Sequence, residues 1–438
     1  MQARQLVVSL LDQLEKSNSY SNIALDHMLE KTELSTQDKK FCSALFYGVI
    51  ERKLTLDAVI SKYSKKPLSK LDCTICNILR TGLYQILYMS QVPSSAAVNE
   101  SVKLTKKFRK TSASGFVNAV LRGFLRDDCK IPLPKNEMEA LSIKYSVPVW
   151  LVTQTSEIYG MEKAESFFEN ALLPPPITIR RNSVLSSEDE FLNEFKDYDI
   201  EKHSVLPDAY ILKSGNVKKI SAFEKGLFHV QDVASQFCCM ALDAKPDEII
   251  FDVCSAPGGK TFTISEYMNN TGKIYAFDLQ NNRVSLIKQG AERLKLTNII
   301  ANQGDASVYN SDLPKADRVL CDVPCSGLGV IRRKPEIRYK TKESFNDLPD
   351  LQFKILENAS QYVKDGGTLV YSTCTISKYE NENVVERFLK NHKEFILVPV
   401  IPELGGIFNE SMVTLFPDYC NSDGFFFAKL YKIKEGDV

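Results

Sequence analysis

The stretch that decides the fold is Asp252-Val-Cys-Ser-Ala-Pro-Gly-Gly-Lys-Thr261. The apolar run Glu248–Val253 reads as a strand, and Gly258 and Gly259 mark a tight turn into a helix. A helix N-terminus at such a turn presents free backbone amides to a ligand. Two nucleotide motifs fail here. Gly259-Lys260-Thr261 fits the end of a Walker A loop, but Cys254 stands where its first glycine belongs. The dinucleotide pattern Gly-x-Gly-x-x-Gly fails because the two glycines are adjacent. A glycine turn without a phosphate cradle suits a cofactor with a nucleoside but no pyrophosphate.

Further strands are expected at Lys273–Phe277, Asn298–Asn302, Arg318–Cys321 and Thr368–Ser372, alternating with helical segments such as Phe345–Val363. Strands alternating with helices mean βαβ units and a parallel sheet, which binds ligands beyond the carboxyl ends of its strands. Asp278 closes the second strand and is placed to accept hydrogen bonds from ribose hydroxyls; Asp305 follows the third and suits an adenine amino group. Each would equally cap the helix after it. Together with the glycine turn they read as an S-adenosylmethionine site. The fourth strand runs into Cys321-Asp-Val-Pro-Cys-Ser-Gly-Leu-Gly329 and the fifth into Tyr371-Ser-Thr-Cys-Thr375. Cys254 and Cys321 read as packing residues, whereas Cys325 and Cys374 lie past their strands in polar turns. Ser377-Lys-Tyr-Glu380 fits a capping box, which predicts a helix beginning just after Cys374 and favouring its thiolate.

Two thiols and an acid suit one chemistry. Carbon 5 of cytosine is a poor nucleophile, but a thiolate added at carbon 6 turns the ring into an enamine that can attack a methyl sulfonium. Asp322 beside the ring nitrogen would stabilise the adduct, and a second thiol near carbon 5 would help it break down. Spacing alone does not choose the attacking cysteine. The carboxyl-terminal half resembles the RNA cytosine-5 methyltransferase family, and the whole chain resembles its bacterial RsmB (Sun/Fmu) branch. The matching motifs are Val230–Gln236, Asp252–Thr261, Asp322–Gly327, Tyr371–Thr375 and Asp423–Ala428, with Ala97–Val102 and Gly115–Asn118 resembling a NusB-like domain. The resemblance implies methylation of carbon 5 of a cytosine in 16S rRNA, with Cys374 as nucleophile and Cys325 assisting product release. It also implies cofactor contacts from Cys254, Ser255, Ala256, Pro257, Gly258, Gly259, Lys260, Asp278, Asp305 and Asp322.

The rest of the 438 residues is consistent with this layout. Apolar residues make up 44% and charged residues 25%, which excludes wholesale disorder and fibrous repeats. Net charge is zero overall, yet residues 1–130 carry +8, residues 131–200 carry −6 and the remainder −2. A basic first third suits a polyanion, with Lys103, Lys106, Lys107, Arg109, Lys110, Arg122 and Arg126 forming its densest part; a solvated helix face is the bland alternative. Apolar spacing of three and four makes this third helical, and Pro132 and Pro134 break it. The expected architecture is therefore multidomain: an all-α NusB-like RNA-binding domain at 1–140, a small α+β connecting domain at 141–225, and an α/β Rossmann-like class I methyltransferase domain at 226–438.

Arg332, Arg333, Lys334 and Arg338 fall in a cation-rich segment with Tyr339 directly after Cys325, and an RNA-contacting loop is expected there. Asp12 and Glu15 interrupt any signal-peptide core, and no run approaches a membrane span, so a cytoplasmic location is expected. Eleven cysteines without a secretory signal argue against disulfides, and only Cys73 and Cys76 form a Cys-x-x-Cys pair, so no metal is expected. The expected partner is 16S rRNA, unassembled or in an early small-subunit particle, met by a monomer with no membrane role. A pure RNA-binding or antitermination module, a transfer RNA methyltransferase and a thiol-redox enzyme are the competing readings. The paired cysteines Cys325 and Cys374, the NusB-like region, and the fact that those two cysteines are not a Cys-x-x-Cys at a helix start argue against them in turn.

Overall fold

A computed structural model of the chain describes residues 3–16, 21–434 and 436, so residues 1–2 of the amino-terminal reading lie outside it. The chain forms two compact units, Met1–Leu173 with Ile331–Lys342, and Pro174–Val330 with Glu343–Val438. The first is helical: α1 (Ala3–Lys16), α2 (Ser21–Glu30), α3 (Thr36–Glu51), α4 (Lys53–Tyr63), α5 (Cys73–Tyr88), α6 (Ser94–Lys107), α7 (Ser114–Arg126), α8 (Glu137–Tyr145), α9 (Val149–Tyr159) and α10 (Met161–Asn170). Side chains start several of these helices: Ser35, Asp72 and Asn136 each accept a hydrogen bond from the backbone amide three residues on. Residues spaced three and four apart meet in one core, including Leu6, Leu10, Phe46, Leu83, Val117 and Leu121. On α7 this face leaves Arg122 and Arg126 exposed, and Lys106 and Lys107 in the last turn of α6 and Arg109 just after it are exposed.

The cation-rich segment corrects an expectation. Residues 331–342 belong to this helical unit, and Arg338 is fully buried. Its guanidinium donates to the carbonyls of Glu51 (3.3 Å), Ala171 (3.2 Å) and Ile331 (3.0 Å), and Tyr339 donates to the carbonyl of Ile50 (2.6 Å). Burial lowers the Arg338 pKa. Arg338 therefore ties backbone ends together and is not a phosphate ligand. Arg332 is also buried, Arg333 is half-buried and Lys334 is exposed, so the anticipated RNA-contacting loop keeps one fully exposed cation of the four.

The second unit holds two sheets. Its elements are β1 (Ile177–Arg181), α11 (Glu188–Glu194), β2 (Ile200–Lys202), β3 (Ala209–Leu212), α12 (Ser221–Glu224), β4 (Phe228–Val230), α13 (Val233–Leu242), β5 (Ile249–Asp252), α14 (Gly259–Tyr267), β6 (Lys273–Asp278), α15 (Asn281–Arg293), β7 (Ile299–Gln303), β8 (Ala316–Asp322), α16 (Leu348–Ser360), β9 (Val363–Thr373), α17 (Glu382–Asn391), β10 (Phe395–Leu397), β11 (Met412–Leu415) and β12 (Phe425–Lys432). The smaller sheet is antiparallel, in the order β2-β3-β1-β4. The larger runs β10-β12-β9-β8-β5-β6-β7, with β11 also on β12. Strands β7, β6, β5, β8 and β9 are mutually parallel, and β12 is antiparallel to β9. Chain order reverses between β5 and β8, which opens a crevice at their carboxyl ends. Buried Ile250, Val319, Leu320 and Val370 make this sheet a rigid floor for it.

Candidate active site

The glycine turn follows β5 as anticipated. Gly258 has φ +109°, and a Cβ there would lie 2.4 Å from the Phe262 ring. Only glycine fits, because the turn is left-handed and the helix packs directly against it. Ser255 donates to the carbonyl of Phe277 through both its amide (2.7 Å) and its hydroxyl (2.9 Å), fixing the loop to β6. Arg283 reaches back from α15 to the carbonyl of Ala256 (2.7 Å) and pairs with Asp278 (3.0 Å). Asp278 also accepts from the amide of Gln280 (3.0 Å), so it closes β6 and starts the next turn at once. Asp305 is exposed and accepts from the amide and hydroxyl of Ser307, which lower its pKa.

A cavity of about 210 Å³ lies at the switch point, lined by Gln231, Asp232, Asp252, Cys254, Lys260 and Asp322 with the Ser255–Pro257 backbone. Asp305 instead lines a more apolar cavity of about 280 Å³ with Phe277, Tyr309 and Tyr362. Lys260 binds Asp322 at 2.7 Å, and the other Asp322 oxygen accepts from Ser372 at 2.8 Å. Burial works against the Lys260 ammonium, but Asp322 outweighs it and raises the Lys260 pKa. Asp252 is buried and accepts from Thr261 (2.7 Å) through one oxygen, while its other oxygen has no hydrogen-bond partner. Burial pushes its pKa up to about 7. An unpartnered buried carboxyl oxygen and a second acid in one cavity fit a ligand that is cationic and carries donors, as S-adenosylmethionine does.

Cys325 and Cys374 are brought together. They follow the adjacent parallel strands β8 and β9, and their sulfurs are 3.3 Å apart. The hydrogen bond to Cys374, with burial, pushes the Cys325 thiol well above its ordinary range. A close glycine contact holds this arrangement. Gly329 donates to the carbonyl of Cys374 (3.0 Å), Gly424 donates to the carbonyl of Gly329 (2.9 Å), and a Cβ on Gly329 would lie 1.9 Å from the Gly424 oxygen. Cys321 is fully buried as expected of a packing residue, while Cys254 lines the cavity.

The capping-box expectation is overturned. Residues 378–381 form a turn, and α17 begins at Glu382 with Asn381 before it and no side-chain cap. The Glu380 carboxylate reaches Ser326 instead, so no helix N-terminus directly after Cys374 accounts for its reactivity. Sequence reasoning gave no role to Asp252, Gln231 or Asp232. The signal was present: Gln231 and Asp232 lie in a motif matched as a whole, and Asp252 is the last residue of its strand.

The chain resembles known proteins along nearly its whole length. Residues 239–431 match the family model "16S rRNA methyltransferase RsmB/F", residues 1–126 match the NusB family, and residues 147–218 match a ferredoxin-like domain of RsmF/B-like methyltransferases. The chain is 35% identical to a probable ribosomal RNA small subunit methyltransferase B of Bacillus subtilis, over 98% of each chain. It is 36% identical to a similarly named protein of Synechocystis over 98% of this chain and 99% of that one. Among solved structures, PH0851 superposes with a TM-score of 0.83 at 29% identity over 98% of both chains. A methyltransferase homolog from Pyrococcus horikoshii superposes with 0.60 at 26% identity, covering 68% of this chain and all of its own.

Proposed function

This chain belongs to the RsmB/F family of 16S rRNA methyltransferases, and from that premise we propose that it methylates carbon 5 of a cytosine in small-subunit rRNA through a covalent cysteine adduct. The observation that carries this reading is the pair of sulfurs, 3.3 Å apart, on neighbouring strand ends in the unit that holds the glycine turn. S-adenosylmethionine, the methyl donor of the family, supplies an electrophilic methyl group when bound. The loop from Cys254 to Lys260 would hold it, with Asp278 serving the ribose hydroxyls, Asp305 the adenine amino group, and Asp322 as a further contact.

Cys374 is the nucleophile. It adds to carbon 6, and the electron pair displaced from the double bond makes carbon 5 nucleophilic. We assign the S–H of the pair to Cys325, which then stabilises the Cys374 thiolate before attack. Once the adduct has formed, Cys325 gives that proton to solvent; after transfer, as a thiolate, it takes the carbon 5 proton while the carbon 6–sulfur bond breaks and its electron pair returns to Cys374. Asp322, held by Lys260 and Ser372, lies beside the ring nitrogen and stabilises the adduct. The target cytosine must be unstacked, because carbon 6 is inaccessible within a helix.

We assign RNA recognition to residues 1–140 and 141–225 and chemistry to 226–438. The protein acts as a cytoplasmic monomer on unassembled rRNA or an early particle; among the described residues no helix is long and apolar enough to cross a membrane. The test is nucleoside mass spectrometry of 16S rRNA incubated with the protein and labelled cofactor. Label in 5-methylcytidine is expected. Label in N4-methylcytidine, or in another base, overturns the assignment.

A further inference from the structure

Two consecutive side chains, Glu380 and Asn381, each grip the loop around one of the two thiols. Glu380 is 2% exposed. Its carboxylate accepts from the amide of Ser326 (2.8 Å), the hydroxyl of Ser326 (2.5 Å), the amide group of Gln352 (3.0 Å) and, at the longer distance of 3.5 Å, the hydroxyl of Thr375. Gln352 also donates to the carbonyl of Pro324 (3.0 Å). Both neighbours of Cys325 are therefore fixed, one by Glu380 and one by its partner Gln352. Asn381 is fully buried and does the same for Cys374. Its oxygen accepts from the hydroxyl of Thr373 (2.6 Å), and its NH2 donates to the carbonyl of Thr375 (3.0 Å). The Ser326 and Thr375 hydroxyls join the two loops directly (2.8 Å), and Tyr371 donates to the Glu380 carbonyl (2.6 Å), fixing the dipeptide to β9.

We propose that Glu380 and Asn381 are positioning residues that set the separation of the two catalytic thiols, Glu380 governing Cys325 and Asn381 governing Cys374. The chemistry requires this separation. One sulfur must reach carbon 6 and the other the proton on carbon 5, atoms bonded to one another, so a small drift of either loop decouples the steps. Misplacement of a reacting group by about 1 Å costs on the order of 100-fold in rate. A buried carboxylate with four donors on it is hard to remove: glutamine can keep its oxygen on the Ser326 amide and Gln352 and turn its NH2 to the Ser326 and Thr375 hydroxyls, which can accept, whereas alanine loses every contact.

The proposal rests on the covalent mechanism above, and it is tested by separating the two steps. Glu380→Ala, Glu380→Gln and Asn381→Ala are each mixed with 16S rRNA and labelled S-adenosylmethionine, and covalent RNA adduct and released methylated RNA are followed in time. Glu380→Ala is expected to form adduct at close to the wild-type rate and to release it 10- to 100-fold more slowly, on the order set by misplacement, with Glu380→Gln restoring release toward the wild-type rate. Asn381→Ala is expected to slow adduct formation by a similar factor, with release of what forms little changed. An independent readout needs no RNA: hydrogen peroxide joins the two thiols as a disulfide (two thiols and one peroxide give one disulfide and two waters). The rate of Cys325–Cys374 joining, read by peptide mass spectrometry, should fall in both alanine variants. Ser326→Ala, which removes the hydroxyl contacts to Glu380 and Thr375 and leaves the carboxylate, should reproduce a weaker Glu380→Ala pattern and serves if that variant does not fold. Equal slowing of both steps in every folded variant, with unchanged disulfide formation, would overturn the proposal. Absence of adduct in the wild-type protein would instead overturn the mechanism on which it rests.

Discussion

Asp252→Asn isolates one buried charge at the floor of the cofactor cavity. The wild-type carboxyl is buried, receives one hydrogen bond from Thr261 and titrates near 7 instead of its ordinary 3.8. A carboxyl with a raised folded pKa holds its proton in the folded chain after the unfolded chain has lost it. Its contribution to stability is complete below pH 3.8 and is lost as pH rises through about 7. The difference between the two values corresponds to about 4 kcal/mol. Asparagine has the same shape, keeps an acceptor for Thr261 and never ionises. The variant should thus gain on the wild type by about 3–4 kcal/mol between pH 4 and pH 8, an upper range because relaxation around the charge reduces it. Urea unfolding at both pH values, followed by circular dichroism, measures this difference. Trp150, the only tryptophan, lies in the helical unit, so its fluorescence provides an internal control that should not respond. A stability difference that is the same at pH 4 and pH 8 would refute the reasoning.

Three other outcomes follow from the same contacts. Arg180 and Glu266 are both fully buried and pair at 2.7 Å, so Arg180→Met should cost about 3–5 kcal/mol by leaving a lone buried carboxylate, while Arg180→Met with Glu266→Met recovers most of it in thermal unfolding. Lys260→Met removes the cation from Asp322; it should lower methylation at least tenfold, about 1.4 kcal/mol of barrier, with the fold retained in circular dichroism. Arg338→Ala should destabilise the helical unit by about 3 kcal/mol, seen in Trp150 fluorescence, and leave the salt dependence of RNA binding unchanged. By contrast, Lys106→Ala with Arg109→Ala on the exposed cationic face should reduce the log–log salt slope by roughly two.

The residues that were legible in the sequence are those whose signal is local. Ile177–Arg181 alternates and is a strand with those ends; Lys273 to Asp278 and Ile249 to Asp252 are apolar runs closed by an acid. The placement of Cys325 and Cys374 followed from strand ends alone, because parallel neighbours deliver their carboxyl ends to one edge. What escaped depends on partners far along the chain. Ser377-Lys-Tyr-Glu380 satisfies a capping pattern, yet the Glu380 partner is Ser326, 54 residues earlier. Arg338 looks like a solvent-facing cation, but its acceptors are carbonyls at Glu51 and Ala171. Strands β2, β3 and β4 are three or four residues long, too short for periodicity to register. Asp423–Ala428 registers as a motif and not as the start of the antiparallel strand Phe425–Lys432, which follows the Gly424 contact to Gly329.

The central claim is that Cys374 attacks and Cys325 releases. Cys374→Ala and Cys325→Ala proteins, each incubated with 16S rRNA and labelled cofactor and run on a denaturing gel, test it most directly. The account predicts no methylation and no protein–RNA band for Cys374→Ala, and a persistent labelled protein–RNA band for Cys325→Ala. A persistent band with Cys374→Ala and none with Cys325→Ala would contradict it.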